Sequence, residues 1–177
     1  MTMTAVLLML TFAPLLAQNK KENPKAVTHR GLIRLAAPVE RAFPLFGPVR
    51  EKLWAPGWNP QIVYPLDRDV AEGMVFLTQE QRGETYWVLT RLDAAQHFIA
   101  YANFTPGYIA NRIEIRCRAA AANQTECEVM YAHVALGEAG NHFIEQMDEK
   151  AYAAKMAHWQ EAINYALEHG KPMEMLH

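Results

Sequence analysis

Serine is absent from this 177-residue chain, which removes any hydrolase built on a serine nucleophile, a histidine base and a carboxylate. Cysteine occurs only twice, at Cys117 and Cys127, with no Cys-x-x-Cys pair, and no His-Glu-x-x-His helix is present, so zinc chemistry has no support. No glycine-rich phosphate loop occurs either, and neither cofactor nor metal is expected. An excess of positive charge is also lacking. The net charge is −2, and charges such as Arg112, Glu114, Arg116 and Arg118 alternate in sign, so no stripe suited to nucleic acid forms. Nothing repeats at a fixed period, and the one biased stretch, Ala119 to Ala122, is only loop-sized. His142, His158, His169 and His177 lack a tight ligand spacing and read as surface or tail positions.

What remains is the composition of one ordinary domain, 51% hydrophobic and 20% charged, able to bury a core without staples. Ahead of it, Ala5 to Ala17 is an uncharged apolar run, too short to span a bilayer comfortably, with the small residue Ala17 placed for cleavage. Residues 1–17 therefore read as an export signal, which sends the mature chain to the periplasm or outside the cell without a stable membrane span. Against this, Met1 to Thr4 lacks the usual Lys or Arg; the alternative is a misassigned start codon and a cytoplasmic protein. Residues 18–26 read as a polar linker, 27–170 as the domain and 171–177 as a tail.

Val27 to Ala36 alternates as a strand, with His29, Gly31, Ile33 and Leu35 on one side. Pro38 opens a short helix whose apolar stripe is Val39, Ala42, Phe43 and Phe46, and a second short helix follows at Val49 to Leu53. Six strands come next, at 61–66, 74–79, 85–92, 97–104, 109–119 and 124–136, joined by links short enough to make neighbours antiparallel. From Gly140 to His169 the spacing predicts one amphipathic helix, with Ile144, Met147, Ala151, Tyr152, Met156, Trp159, Ile163 and Ala166 on its buried face. The class is α+β: a curved antiparallel sheet of seven strands wrapped around a long C-terminal helix, with two short helices after the first strand. A helix across a concave sheet leaves room for a small apolar guest.

The order of elements resembles the START-like helix-grip superfamily, also called SRPBCC, which includes pollen allergens, polyketide cyclases, lipid-transfer domains and chaperone activators. More narrowly, Ala37-Pro38-Val39-Glu40-Arg41-Ala42-Phe43, Trp54-Ala55-Pro56-Gly57-Trp58, Thr105-Pro106-Gly107, Gly140-Asn141 and Ala151-Tyr152-Ala153-Ala154-Lys155-Met156 with Trp159 are similar to uncharacterised bacterial SRPBCC proteins. The resemblance spans about residues 27–169, and Trp-Ala-Pro-Gly-Trp is its most specific piece. It implies an internal cavity used to carry, sense or transform hydrophobic molecules, without fixing one reaction. Binding or carrying a lipid-like or polyketide-like molecule is the first expectation; an aromatase or cyclase acting in the same cavity is the alternative.

Strand parity supplies the candidate lining. Alternation puts Ile113, Ile115 and Cys117 inward on one strand and Cys127, Val129, Tyr131 and His133 inward on the next. Tyr101, Asn103 and His29 join them by the same reasoning, and each serves either as a satisfied core group or to orient a polar end of the guest. Phe76 and the helix residues Tyr152, Met156 and Trp159 complete the set. Trp54 and Trp58 flank a Pro-Gly turn and read either as a plug at the end of the sheet or as the cavity rim, whereas Trp87 reads as core. A register joining Ala119 to Thr125 through a five-residue turn sets Cys117 opposite Cys127, as a disulfide in an oxidising compartment or as two small core thiols in the cytosol.

Overall fold

In a computed structural model, which describes residues 23–67 and 70–173, seven strands form one antiparallel sheet in the order β1-β7-β6-β5-β4-β3-β2. The export signal, most of the linker and His177 lie outside the described residues. The strands are β1 (Ala26–Leu35), β2 (Gln61–Tyr64), β3 (Val75–Glu80), β4 (Gly83–Asp93), β5 (Phe98–Thr105), β6 (Ile109–Ala121) and β7 (Gln124–Ala135). Helix α1 (Val39–Ala42) runs on into a 3-10 turn at Phe43–Phe46, and the second short helix is a single 3-10 turn, Glu51–Leu53. Register slips between Leu89 and Arg91 and between Ala119 and Ala121 insert one residue each. Such bulges increase local twist and bend the strands.

The expected single helix is two helices, α2 (Glu138–Gln146) and α3 (Glu149–His169). The break falls where Asp148 caps α3, its carboxylate accepting from the Ala151 amide at 2.7 Å. A side-chain cap of this kind satisfies an otherwise orphaned first-turn N–H, so a new helix starts there although the apolar spacing runs through. His29 braces the same joint, with Nε2 donating to the Met147 carbonyl at 2.7 Å. At the other end Gly170, at φ 69°, closes α3 in the left-handed conformation that glycine adopts without penalty.

Helix α3 crosses the concave face close to β1. The approach requires Gly31, because a Cβ there would stand 2.6 Å from Met156 Cγ. Below the helix lies one apolar cluster that includes Ile33, Leu35, Phe46, Phe76, Leu89, Ile99, Ile113, Val129 and Ile163, all 2% exposed or less. Lys25, expected in the linker, belongs to the domain: its carbonyl accepts from Ala135 N and its amide donates to Asn141 Oδ1 at 2.8 Å. Cys117 faces Cys127 in register and is bonded to it, with a Cα–Cα separation of 4.0 Å. The five-residue turn is tighter than expected, since the Ala120 bulge lets Ala121 pair with Gln124. Among the described residues no helix is long and apolar enough to cross a membrane.

Candidate functional site

Apart from the one-residue slip between Leu89 and Arg91, pairing runs unbroken across β4, β5, β6, β7 and β1, so the concave face is a stack of cross-strand rows whose chemistry changes along the strands. One row is Leu92, Ile99, Ile115, Val129 and Gly31, and the next is Leu89, Tyr101, Ile113, Tyr131 and His29. The third reads Phe76, Trp87, Asn103, Asn111 and His133. Beyond it Thr78 pairs with Thr85, and Thr85 and Thr105 hydroxyls meet at 2.8 Å. Apolar side chains thus give way to phenols, then amides and an imidazole, then hydroxyls. At the polar end the helices and sheet do not close. A cavity of about 410 Å³ opens there, lined by Trp87, Asn103, Thr105, Asn111, Tyr131 and His133 of the sheet, Phe143 of α2 and Lys155 of α3. Its mouth is framed by Glu80, Gln81 and Arg82 of the β3–β4 turn and by Tyr108, over whose ring the Arg82 guanidinium sits at 4.8 Å.

The polar row is wired in one direction. Asn111 Nδ2 donates to Asn103 Oδ1 at 2.6 Å, which leaves Asn111 Oδ1 to accept from His133 Nδ1 at 2.6 Å. With the amides in these orientations the neutral imidazole carries its proton on Nδ1, and Nε2 holds a free lone pair. Nε2 is the one buried side-chain polar atom among the described residues without a partner. Burial holds His133 down to about 4, helped by the charges of Lys155 and His29, so the ring is neutral at ordinary pH.

Lys155 supplies the cavity's cation. It stands between Tyr152 and Trp159 at helical spacing, on the buried side of α3, and its Nζ lies 3.6 Å from the Tyr131 ring centroid. Burial lowers it to about 8, while Glu51 and Glu80 pull it back up. Glu51, from the 3-10 turn, keeps some surface, yet burial outweighs the nearby ammonium and raises its carboxyl to about 8. Tyr131 is raised well above its usual range by burial and then by Glu51, so it stays a neutral phenol.

Of the residues singled out from the sequence, Asn103, Tyr131 and His133 meet at this cavity. The others are placed elsewhere. His29, Tyr152 and Met156 line a separate groove between β1 and α3; the His29 ring stacks on Tyr152 at 5.1 Å, and Tyr152 Oη donates to Val129 O. Tyr101 Oη donates to Phe46 O at 2.8 Å and is consumed by the core. Trp54 and Trp58 form a plug: their indole N–H groups donate to Leu45 O and Pro48 O, and Trp159 meets Trp54 edge-on at 5.0 Å. Phe76 lies fully buried behind Trp87, stacked on it at 5.5 Å, and Trp87 is the ring of that pair that reaches the cavity, not only the core.

Sequence reasoning missed Asn111, Lys155 and Glu51. The parity that put Ile113 and Ile115 inward also puts Asn111 inward, and the spacing of Tyr152 and Trp159 includes Lys155. Glu51 lies on a turn too short to carry a periodic signal.

No family model matches the chain, and no curated protein matches it. Solved structures do. Norcoclaurine synthase from Thalictrum flavum superposes with a TM-score of 0.61 at 12% identity, covering 84% of this chain and 99% of that one. An aromatase/cyclase from a Streptomyces species gives 0.56 at 15%, covering 85% and 100%. An uncharacterised protein from Rhizobium leguminosarum gives 0.56 at 13%, covering 82% and 98%. These likenesses show the fold, a helix-grip fold with a curved antiparallel sheet around a long C-terminal helix.

Proposed function

We propose that this protein binds or carries a small, mostly apolar molecule with one polar end, held in the cavity between α3 and the polar end of the sheet. The observation that carries the reading is the hollow itself: about 410 Å³, walled by Trp87, Phe143 and Tyr131 and ending on Asn103, Asn111 and His133. Ligand sites have this composition, an apolar body with a few converging polar groups that fix orientation. An apolar guest gains by leaving water, and its polar end accepts from Lys155 or donates to the free Nε2 of His133. Two of the structural neighbours, a norcoclaurine synthase and an aromatase/cyclase, are enzymes of small ring-bearing molecules by name, which agrees with a ligand site on this fold.

The test is uptake of an uncharged fluorescent apolar probe, N-phenyl-1-naphthylamine. One saturable site per chain is expected, displaced by a medium-chain alcohol and weakened by His133→Phe, which puts a larger apolar ring in the polar row while the fold survives. Native mass spectrometry of protein taken directly from cells checks for a retained guest. Probe binding that is unsaturable, or unchanged in His133→Phe, would count against the cavity.

A second reading, an aromatase or cyclase acting in the same cavity, is favoured by one feature. His133 is neutral with its Nδ1 proton committed to Asn111, which is the state a proton-accepting base requires. Turnover of a ring-forming substrate lost in His133→Phe, with binding of product retained, would select it. Export is part of the proposal too. Intact mass of exported protein should begin at Gln18, and full-length protein confined to the cytosol would reject it.

A further inference from the structure

Lysines on helices ordinarily place their ammonium in water or against a carboxylate, and Lys155 does neither. Its Nζ rests on the Tyr131 ring at 3.6 Å and reaches the Trp159 ring at 5.4 Å, at the wall of the cavity. Among the described residues no carboxylate comes within 4.0 Å of it, although seven lysine or arginine contacts with carboxylates form within that limit. The charged and titratable groups around it are Glu51 from the 3-10 turn, Glu80 from the end of β3, His133 and Tyr131 from β7, and Arg82 at the mouth. None is bonded to it. The chain therefore presents a primary amine, unpaired and partly stripped of water, to a hollow of ligand size.

We infer that the guest carries an aldehyde or ketone and that the Lys155 amine adds to it, forming a reversible imine. This rests on the cavity being a ligand site, as proposed above. The neutral amine attacks the carbonyl carbon; a C–N bond forms, and the C=O π pair moves to oxygen, which gains the proton that nitrogen loses. The resulting carbinolamine then expels its hydroxyl as water, taking up one proton, while nitrogen closes the C=N double bond and gives up its last proton. Amine and carbonyl give imine and water, with no oxidant or reductant. The surroundings suit the step. Burial disfavours both the ammonium and the Glu51 carboxylate, so a share of Lys155 is neutral near pH 7 and Glu51 retains its proton. Neutral His133 stands at the same cavity with its Nε2 lone pair free to accept a hydrogen bond. A guest bearing a fixed anion fits less well, because Glu80 already faces the ammonium.

The experiment treats the whole chain with octanal and cyanoborohydride, which reduces an imine to a stable secondary amine, and maps the alkylated lysines by peptide mass spectrometry. Lys155 should be labelled at least about tenfold faster than Lys52, Lys150 or Lys171, because burial raises its neutral fraction and the cavity holds the aldehyde beside it. Its labelling rate should rise with pH and level off near 8, and excess 1-octanol, which fills the cavity without a carbonyl, should slow it. Lys155→Arg should abolish fast labelling. Lys155 labelled no faster than Lys150, in protein that still takes up octanol, overturns the imine and leaves the container reading standing. Slow labelling together with no octanol uptake overturns both.

Discussion

The space between α3 and the sheet has two ends built from the same strands, and one is solid while the other is hollow. At the solid end Ile99, Ile115 and Val129 stand in register, and Ile33, Leu35, Phe46, Trp54 and the bonded Cys117 and Cys127 belong to the same buried cluster. At the hollow end the same strands contribute Thr85, Asn103, Thr105, Asn111 and His133. Strand pairing by itself does not make one end hollow, because it continues through both from β1 to β4. Side-chain chemistry does. Large branched residues interdigitate and exclude water, whereas shorter polar residues satisfy one another across the sheet, as Asn103, Asn111 and His133 do, and leave the volume above them unfilled.

The contrast is broken most severely from the solid end. Phe46→Ala should cost about 3–5 kcal/mol in urea unfolding, since it empties a site that is 1% exposed. A loss below about 1 kcal/mol would mean that end is loosely packed. Reduction of Cys117–Cys127 should cost about 2–3 kcal/mol, from a ten-residue separation closed in the unfolded chain. Thiol counting under denaturing, non-reducing conditions is the direct check: exported protein should show none, with no intermolecular dimer.

A smaller effect sharpens the hollow end. Glu51 binds its proton more tightly in the folded state, about 8 against 4.5, so its contribution to stability is present below pH 4.5 and is lost as pH rises through 8. His133 works oppositely: with a folded value near 4 against 6.5, its contribution is present above 6.5 and lost as pH falls toward 4. Lys155, about 8 against 10.5, adds stability only above pH 8. Between pH 6.5 and 8, therefore, Glu51 alone of the three tilts the curve downward. Glu51→Gln should flatten denaturant midpoints across that window, and an unchanged slope would place the carboxyl in water. The smallest effect belongs outside both ends. Glu128→Gln, which breaks an exposed pair with Arg30 at 2.9 Å, should change stability by no more than about 1 kcal/mol.

The antiparallel pairing of successive strands, their inward faces and the Cys117–Cys127 register were legible because a period of two leaves few choices once links are short, whereas the pairing of β1 with β7 was not read. The cavity's position was only partly so. Parity marks Tyr101, Asn103 and Tyr131 alike as inward, yet only three-dimensional packing shows that Tyr101 spends its hydroxyl on Phe46 O while Asn103 faces the hollow. His29 was misplaced for a related reason: it points inward from an edge strand, where α3 covers it and the α2–α3 joint takes its proton. Lys155 was concealed by its type, since a lysine is assigned to the wet face even when its spacing puts it on the dry one.

The four tryptophans make the decisive measurement possible, because they report on both ends at once. Trp87 lines the cavity with its indole N–H on Thr78 Oγ1, while Trp54 is buried in the solid end with its N–H on Leu45 O. In an NMR titration of the indole N–H resonances with 1-octanol, Trp87 should shift saturably and Trp54 should stay in place. A saturable shift of Trp54 with Trp87 unmoved would contradict the account, for it would put the guest where the structure is solid.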